Sequence, residues 1–122
     1  MERTFFIVDD DTMQNEIHSI LVQKVNPEAR VIKFTSGEAA LKAIEEGLVP
    51  DIVFLDLHIP GESITVFLEG HKSGHCSADI YLMSSAAFLN QPELQIKFPA
   101  IKDFISKPLL DYKLRSVLGS FA

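Results

Sequence analysis

Cysteine is almost absent from this chain. Of 122 residues only Cys76 carries a thiol, so no disulfide can form within it, and a reducing compartment such as the cytoplasm is the expected setting. Long hydrophobic runs are absent too. Met-Glu-Arg-Thr leads into Phe5-Phe6-Ile7-Val8 and then at once into acids, which is too short for a signal peptide or a membrane span. Clustered positive charge is also missing: 11 Lys and Arg stand against 17 Asp and Glu, for a net charge of −6. That balance argues against direct contact with nucleic acid and in favour of a cation or a basic surface as partner. No linker, low-complexity tract or internal repeat interrupts the sequence.

What is present is enough for one core. Apolar residues make up 47% of the chain, and a domain of this length buries roughly 65–70% of the surface its unfolded form exposes. The expectation is a single domain over residues 1–122.

Short apolar runs alternate with helical patterns. Phe5 to Val8 reads as a strand buried on both faces. Ile17, Ile20, Leu21 and Val25 recur at helical spacing, with Asp11 or Thr12 as N-cap and Asn26-Pro27 as the stop. Val31 to Phe34 predicts a less apolar strand at an edge. Ser36 caps a helix carrying Ala40, Leu41, Ile44 and Leu48, stopped by Gly47 and Pro50.

Ile52 to Leu55 predicts a third strand that stops at Asp56. Beyond Pro60-Gly61, the residues Ile64, Phe67 and Leu68 predict a short helix broken at Gly70. Ile80 to Met83 predicts a fourth strand running into Ser84-Ser85. Asn90 caps a short helix with Pro92 in its first turn, ending by Pro99. Ile101 to Ile105 predicts a fifth strand, and Leu110, Leu114, Val117, Leu118 and Phe121 a last helix. Alternation of this kind, with right-handed crossovers, gives an α/β fold with a doubly wound, five-stranded parallel sheet of flavodoxin type.

Ligands of such sheets bind beyond the carboxyl ends of the strands. There stand Asp9-Asp10-Asp11, Asp56, Ser84-Ser85 and Ser106-Lys107-Pro108, on strands one, three, four and five. Two like charges 4 Å apart cost about 4 kcal/mol at an effective dielectric of 20, so an acid cluster needs a positive partner. Lys107 is one, and a hard divalent cation is another. Oxygen ligands without His or Cys favour Mg²⁺ over Zn²⁺. Any single Asp at a strand end is usually a turn former or a helix cap. The ordered set across four strands is what carries weight.

The runs Ile7-Val8-Asp9-Asp10-Asp11, Phe54-Leu55-Asp56-Leu57-His58-Ile59-Pro60-Gly61, Met83-Ser84-Ser85 and Asp103-Phe104-Ile105-Ser106-Lys107-Pro108-Leu109 resemble the signature set of response-regulator receiver domains, over the full chain. The resemblance implies the CheY-like strand order 2-1-3-4-5, and because the fold would use the chain to Leu118 a stand-alone receiver with no output domain is expected. It implies that Asp56 is the phosphoacceptor and that Mg²⁺ is held by Asp10, by Asp56, by the backbone carbonyl of His58, and by Asp9 through water. It further implies that Lys107 supports catalysis, that Ser84 is the switch hydroxyl with Ser85 as its alternative, that Phe104 is the switch aromatic, and that Lys107-Pro108 is cis.

The chain departs from the family pattern at Ile59, often Met there, and at Glu62-Ser63-Ile64-Thr65, where Asp-Gly is usual. The implied function is a two-component or phosphorelay switch in the cytoplasm that catalyses only its own phosphotransfer and dephosphorylation and is no enzyme toward other substrates. Its implied partners are a histidine kinase or histidine phosphotransfer protein and a downstream protein bound at the fourth and fifth helices and fifth strand, with no nucleic acid and no membrane. The second reading is a receiver-fold interaction module that is not phosphorylated. A flavin or nucleotide binder is weaker, because the loop after strand one is Asp-rich where phosphate needs Gly or hydroxyl donors. His71, His75 and Cys76 match no standard zinc spacing.

Overall fold

Each apolar run becomes a strand, and each helical pattern covers it. A computed structural model describes residues 2–61, 63–74, 76–84 and 92–118. The elements in chain order are β1 (Thr4–Val8), α1 (Thr12–Val25), β2 (Arg30–Phe34), α2 (Gly37–Glu45), β3 (Ile52–Asp56), α3 (Ile64–Ser73), β4 (Asp79–Ser84), α4 (Pro92–Lys97), β5 (Ile101–Ser106) and α5 (Asp111–Leu118). The strands pair in parallel in the order β2-β1-β3-β4-β5. The doubly wound α/β architecture is therefore as expected. Glu62, His75, Ser85, Asn90 and Phe121, which entered the sequence reading, lie outside the described residues.

The sheet separates two apolar layers. Phe6, Val8, Val53, Leu55, Ile80 and Leu82 pack under α2, α3 and α4. Phe5, Ile7, Phe54, Met83 and Ile105 pack under Val22 of α1 and Leu114 and Leu118 of α5. Alternate residues of one strand thus serve opposite faces, as a strand buried on both sides requires. No helix among the described residues is long and apolar enough to cross a membrane.

Two elements depart from expectation. Helix α3 does not break at Gly70 but runs on to Ser73. A Cβ at position 70 would lie 2.8 Å from a methyl carbon of Leu41, so this glycine lets α3 approach α2 and is not a stop. Gly47, by contrast, does end α2, with φ at +107°.

Helix α1 is turned about its axis. Its buried residues are Asn15, His18, Ser19 and Val22, whereas Met13, Ile17 and Ile20 are 69, 44 and 64% exposed. At about 100° per residue the exposed stripe lies on the side of the helix opposite the buried one.

Candidate functional site

The carboxyl ends of β1 and β3 set two acids side by side, because Val8 pairs with Leu55 one residue before each acid. Asp9 and Asp56 are both buried, and Asp10 is exposed at the rim. Carboxylate oxygens of Asp9, Asp10 and Asp56 all lie within 4.8 Å of one another, the one such cluster among the described residues.

Lys107 enters from the turn after β5. Its Nζ lies 2.5 Å from Oδ2 of Asp9 and 3.3 Å from Oδ2 of Asp56. One ammonium against three carboxylates leaves formal negative charge that a further cation would relieve. Every donor is a hard oxygen, so the set fits Mg²⁺ and not a soft metal.

Backbone contacts hold the two buried acids in place. Oδ1 of Asp9 accepts the N–H of Asp11 at 3.0 Å, and Oδ1 of Asp56 accepts the N–H of His58 at 3.0 Å. The exposed His58 thus belongs to a loop whose main chain already grips the site; its carbonyl is the position that the resemblance assigns to the metal. Asp11 is the N-cap of α1, accepting the N–H groups of Met13 and Gln14.

Burial pushes the Asp56 carboxyl up from the usual carboxylate range. The His58 N–H and the Lys107 charge oppose that shift, and the Asp9 charge adds to it. For Lys107, burial alone would lower the ammonium's pKa. The hydrogen bond to Asp9 and the charges of Asp56 and Asp9 outweigh it, and the net direction is upward. The lysine is a fixed positive charge.

Ser84 ends β4, fully buried, next to Met83, which pairs with Asp56. Its carbonyl accepts the N–H of Lys107 at 2.8 Å, tying the end of β4 to the turn after β5. Phe104 stands half-buried on β5, three residues before Lys107, against the layer under α2, α3 and α4. The Lys107–Pro108 peptide is cis. The two described members of the His71, His75, Cys76 group form no metal cluster: His71 is buried, with Nε2 hydrogen-bonded to the carbonyl of Ala78 at 3.0 Å.

Three residues around the site escaped the sequence reading. Asn15 donates through Nδ2 to the carbonyls of Asp9 (2.9 Å) and Phe34 (3.1 Å), clamping the ends of β1 and β2. His18 is fully buried behind it, and neither ring nitrogen finds a hydrogen-bond partner among the described residues. Burial lowers its pKa, with Asp9 opposing and Lys107 reinforcing that direction. Lys113 reaches back from α5 to the Lys107 turn. The available signals were a polar residue six positions after Asp9 and a lysine in a helix's first turn, where the dipole disfavours a cation.

No family model matches the chain. The sensory transduction protein LytT of Enterococcus faecalis is 31% identical over 114 residues, covering 92% of this chain and 45% of LytT. A protein of Halalkalibacterium halodurans named as a C4-dicarboxylate response regulator is 22% identical, covering 94% of this chain and 49% of its own length. The chain spans about half the length of the curated relatives it matches. A CheY-like response regulator receiver domain from Methylobacillus flagellatus superposes with a TM-score of 0.78 at 20% identity, covering 100% of both chains. A response regulator receiver domain from Clostridium thermocellum gives 0.80 at 17% identity, covering 97% of this chain and 92% of that one. The chain has the CheY-like receiver fold, and the relatives it matches in sequence include response regulators.

Proposed function

We propose that this receiver domain works in two-component or phosphorelay signalling as a switch, taking a phosphoryl group from a phosphohistidine donor onto Asp56. The observation that carries the reading is the end of β3: a buried carboxylate 3.3 Å from the ammonium of Lys107, with Asp9 and Asp10 within 4.8 Å.

In the proposed step an Oδ of Asp56 attacks phosphorus. The O–P bond forms as the N–P bond of the donor breaks, and the imidazole leaves with the bonding pair and takes up a proton. Mg²⁺, when bound, supplies charge neutralisation on the phosphoryl oxygens. Asp10 and Asp56, with the His58 carbonyl, are the residues that would hold it, and Asp9 would act through water. Lys107 offers a second positive charge on the same side, and its fixed position makes the site an electrostatic one. The His58 N–H keeps one oxygen of Asp56 oriented and leaves the other toward Lys107.

The switch follows from the neighbours. An anion on Asp56 gives Ser84 and Lys107 a new acceptor, draws in the end of β4 and biases the packing of Phe104. Shifting a two-state element from 1:99 to 99:1 takes about 5.5 kcal/mol, and charge-assisted hydrogen bonds contribute roughly 1.5–3 kcal/mol each. In this reading the chain catalyses its own phosphotransfer alone, and the output passes to a protein bound at α4, β5 and α5.

The exposed stripe of Met13, Ile17 and Ile20 begins three residues after Asp10 in the chain. It offers the donor protein an apolar face that brings its phosphohistidine over the acids. The test is incubation with a small phosphodonor and Mg²⁺ followed by intact mass. The expected result is one phosphoryl group on wild type and none on Asp56→Asn. An unmodified wild type that still binds partners would favour the interaction-module reading.

A further inference from the structure

Lys113 stands in the first turn of α5, where the helix dipole disfavours a cation. Its ammonium turns back and donates to three oxygens: the carbonyl of Ser106 at 2.7 Å, Oγ of Ser106 at 2.7 Å and the carbonyl of Pro108 at 3.2 Å. An ammonium has three N–H donors, so these acceptors saturate it. No carboxylate pairs with it among the described residues. The two residues it grips are the ones on either side of Lys107.

The main chain at Lys107 is therefore held from two directions. Its own N–H is fixed to the carbonyl of Ser84 at the end of β4, and its flanking residues are fixed to α5 through Lys113. From that anchored point the flexible side chain runs to Asp9 and Asp56. We propose that Lys113 is a positioning residue for Lys107, a tripod whose three bonds set where the Lys107 ammonium sits over the acids. Its kinetic consequence rests on the reading of Asp56 as phosphoacceptor; its positional claim does not.

The test compares Lys113→Met, which keeps the aliphatic stem and loses the donors, with Lys113→Arg, which restores donors. In the metal-free protein the ¹⁵N ammonium resonance of Lys107, assigned by its loss in Lys107→Met, should broaden in Lys113→Met and sharpen again in Lys113→Arg. Phosphorylation by a small phosphodonor should fall about tenfold in Lys113→Met, since displacement of a charged group by a fraction of an ångström is costly in a positioned site. Arg should recover most of that rate, and Mg²⁺ affinity should change less than twofold. Ser106→Ala, which removes one acceptor, should shift resonance and rate in the same direction by less, and it serves if Lys113→Met does not fold.

A wild-type Lys107 resonance and wild-type rate in Lys113→Met would overturn the proposal. So would a rate that falls only in step with Mg²⁺ affinity and melting temperature. If wild type accepts no phosphoryl group, the Asp56 reading fails, and the Lys107 resonance still decides the role of Lys113.

Discussion

The ammonium of Lys107 lies closer to Asp9, at 2.5 Å, than to Asp56, at 3.3 Å. In the resting protein the lysine is seated on the carboxylate next to the proposed metal position, so it and Mg²⁺ compete for the same negative field. Lys107→Met should therefore bind Mg²⁺ more tightly, by on the order of 1 kcal/mol or roughly fivefold, once the repulsion between cations is removed. Phosphorylation should fall all the same, because the second positive charge on the phosphoryl oxygens is gone. Isothermal titration with Mg²⁺ checks the first half. Weaker binding would mean that the lysine preorganises the carboxylates more than it opposes the metal.

Asp56 is a cost to the metal-free fold. Burial raises its carboxyl above the ordinary value of 3.8. A group with a raised folded pKa contributes its stability below the unfolded value and loses it as pH rises through the folded one. Above that folded value the buried carboxylate is ionised and unfavourable, so Asp56→Asn should there melt higher without metal. The gain should be on the order of 1 kcal/mol, or about 3–6 °C. Mg²⁺ should then reverse the order, since at a hundredfold excess over Kd wild type gains about 2.7 kcal/mol by linkage and the variant gains less. Calorimetry with and without Mg²⁺ reads both effects. A lower metal-free melting point in Asp56→Asn would show that the contact with Lys107 outweighs burial.

The strands and the acids at their ends were legible because a strand buried on both faces writes itself as an unbroken apolar run, and its last residue faces the site. Asp56 after Ile52 to Leu55, and Asp9 after Phe5 to Val8, needed nothing more. The orientation of α1 was not legible. Ile17 and Ile20 give the correct period but the wrong face, because the buried side is made of Asn15, His18, Ser19 and Val22. A polar residue reads as exposed until its partners are known, and those of Asn15 are carbonyls at the ends of β1 and β2. Gly70 failed for a related reason: its meaning lies in Leu41 on another helix, which local propensity does not see. Lys113 is a third case, since the loop it holds precedes its own helix.

His18 should make the protein acid-sensitive. Burial lowers its pKa from 6.5, and burial also lowers that of His71, with the Ala78 carbonyl in partial opposition. For a base depressed in this way the unfolded chain binds more protons. The stability of the neutral form is fully present above about 6.5 and is lost as pH falls from there through the lower folded value. Asp56 titrates with the opposite sign, so the cleaner measurement uses Asp56→Asn. In that background, urea unfolding should show lower stability at pH 5 than at pH 7 by on the order of 1 kcal/mol. Adding His18→Met, which removes a buried ring without hydrogen-bond partners among the described residues, should reduce that difference and raise stability at pH 5. An unchanged slope would place the titrating group elsewhere.

The exposed stripe on α1 separates recognition from chemistry. Met13, Ile17 and Ile20 face solvent opposite the buried side of their helix, so replacing them removes little that folding needs. Ile17→Ser combined with Ile20→Ser should leave stability within about 0.5 kcal/mol, the usual range for surface positions. Both lie on the side of α1 opposite its buried face, so reaction with a small phosphodonor should be unchanged. Transfer from a phosphohistidine protein that modifies wild type should slow about tenfold or more, because docking would lose two apolar side chains worth roughly 1 kcal/mol each at a partly dry interface. The comparison of the two donors is the decisive measurement. Equal loss with both would mean that the substitutions disturb the site itself, and no loss with either would mean that donors approach from another face. A loss confined to the protein donor would explain why a helix with buried Asn and His keeps isoleucine on its outer side.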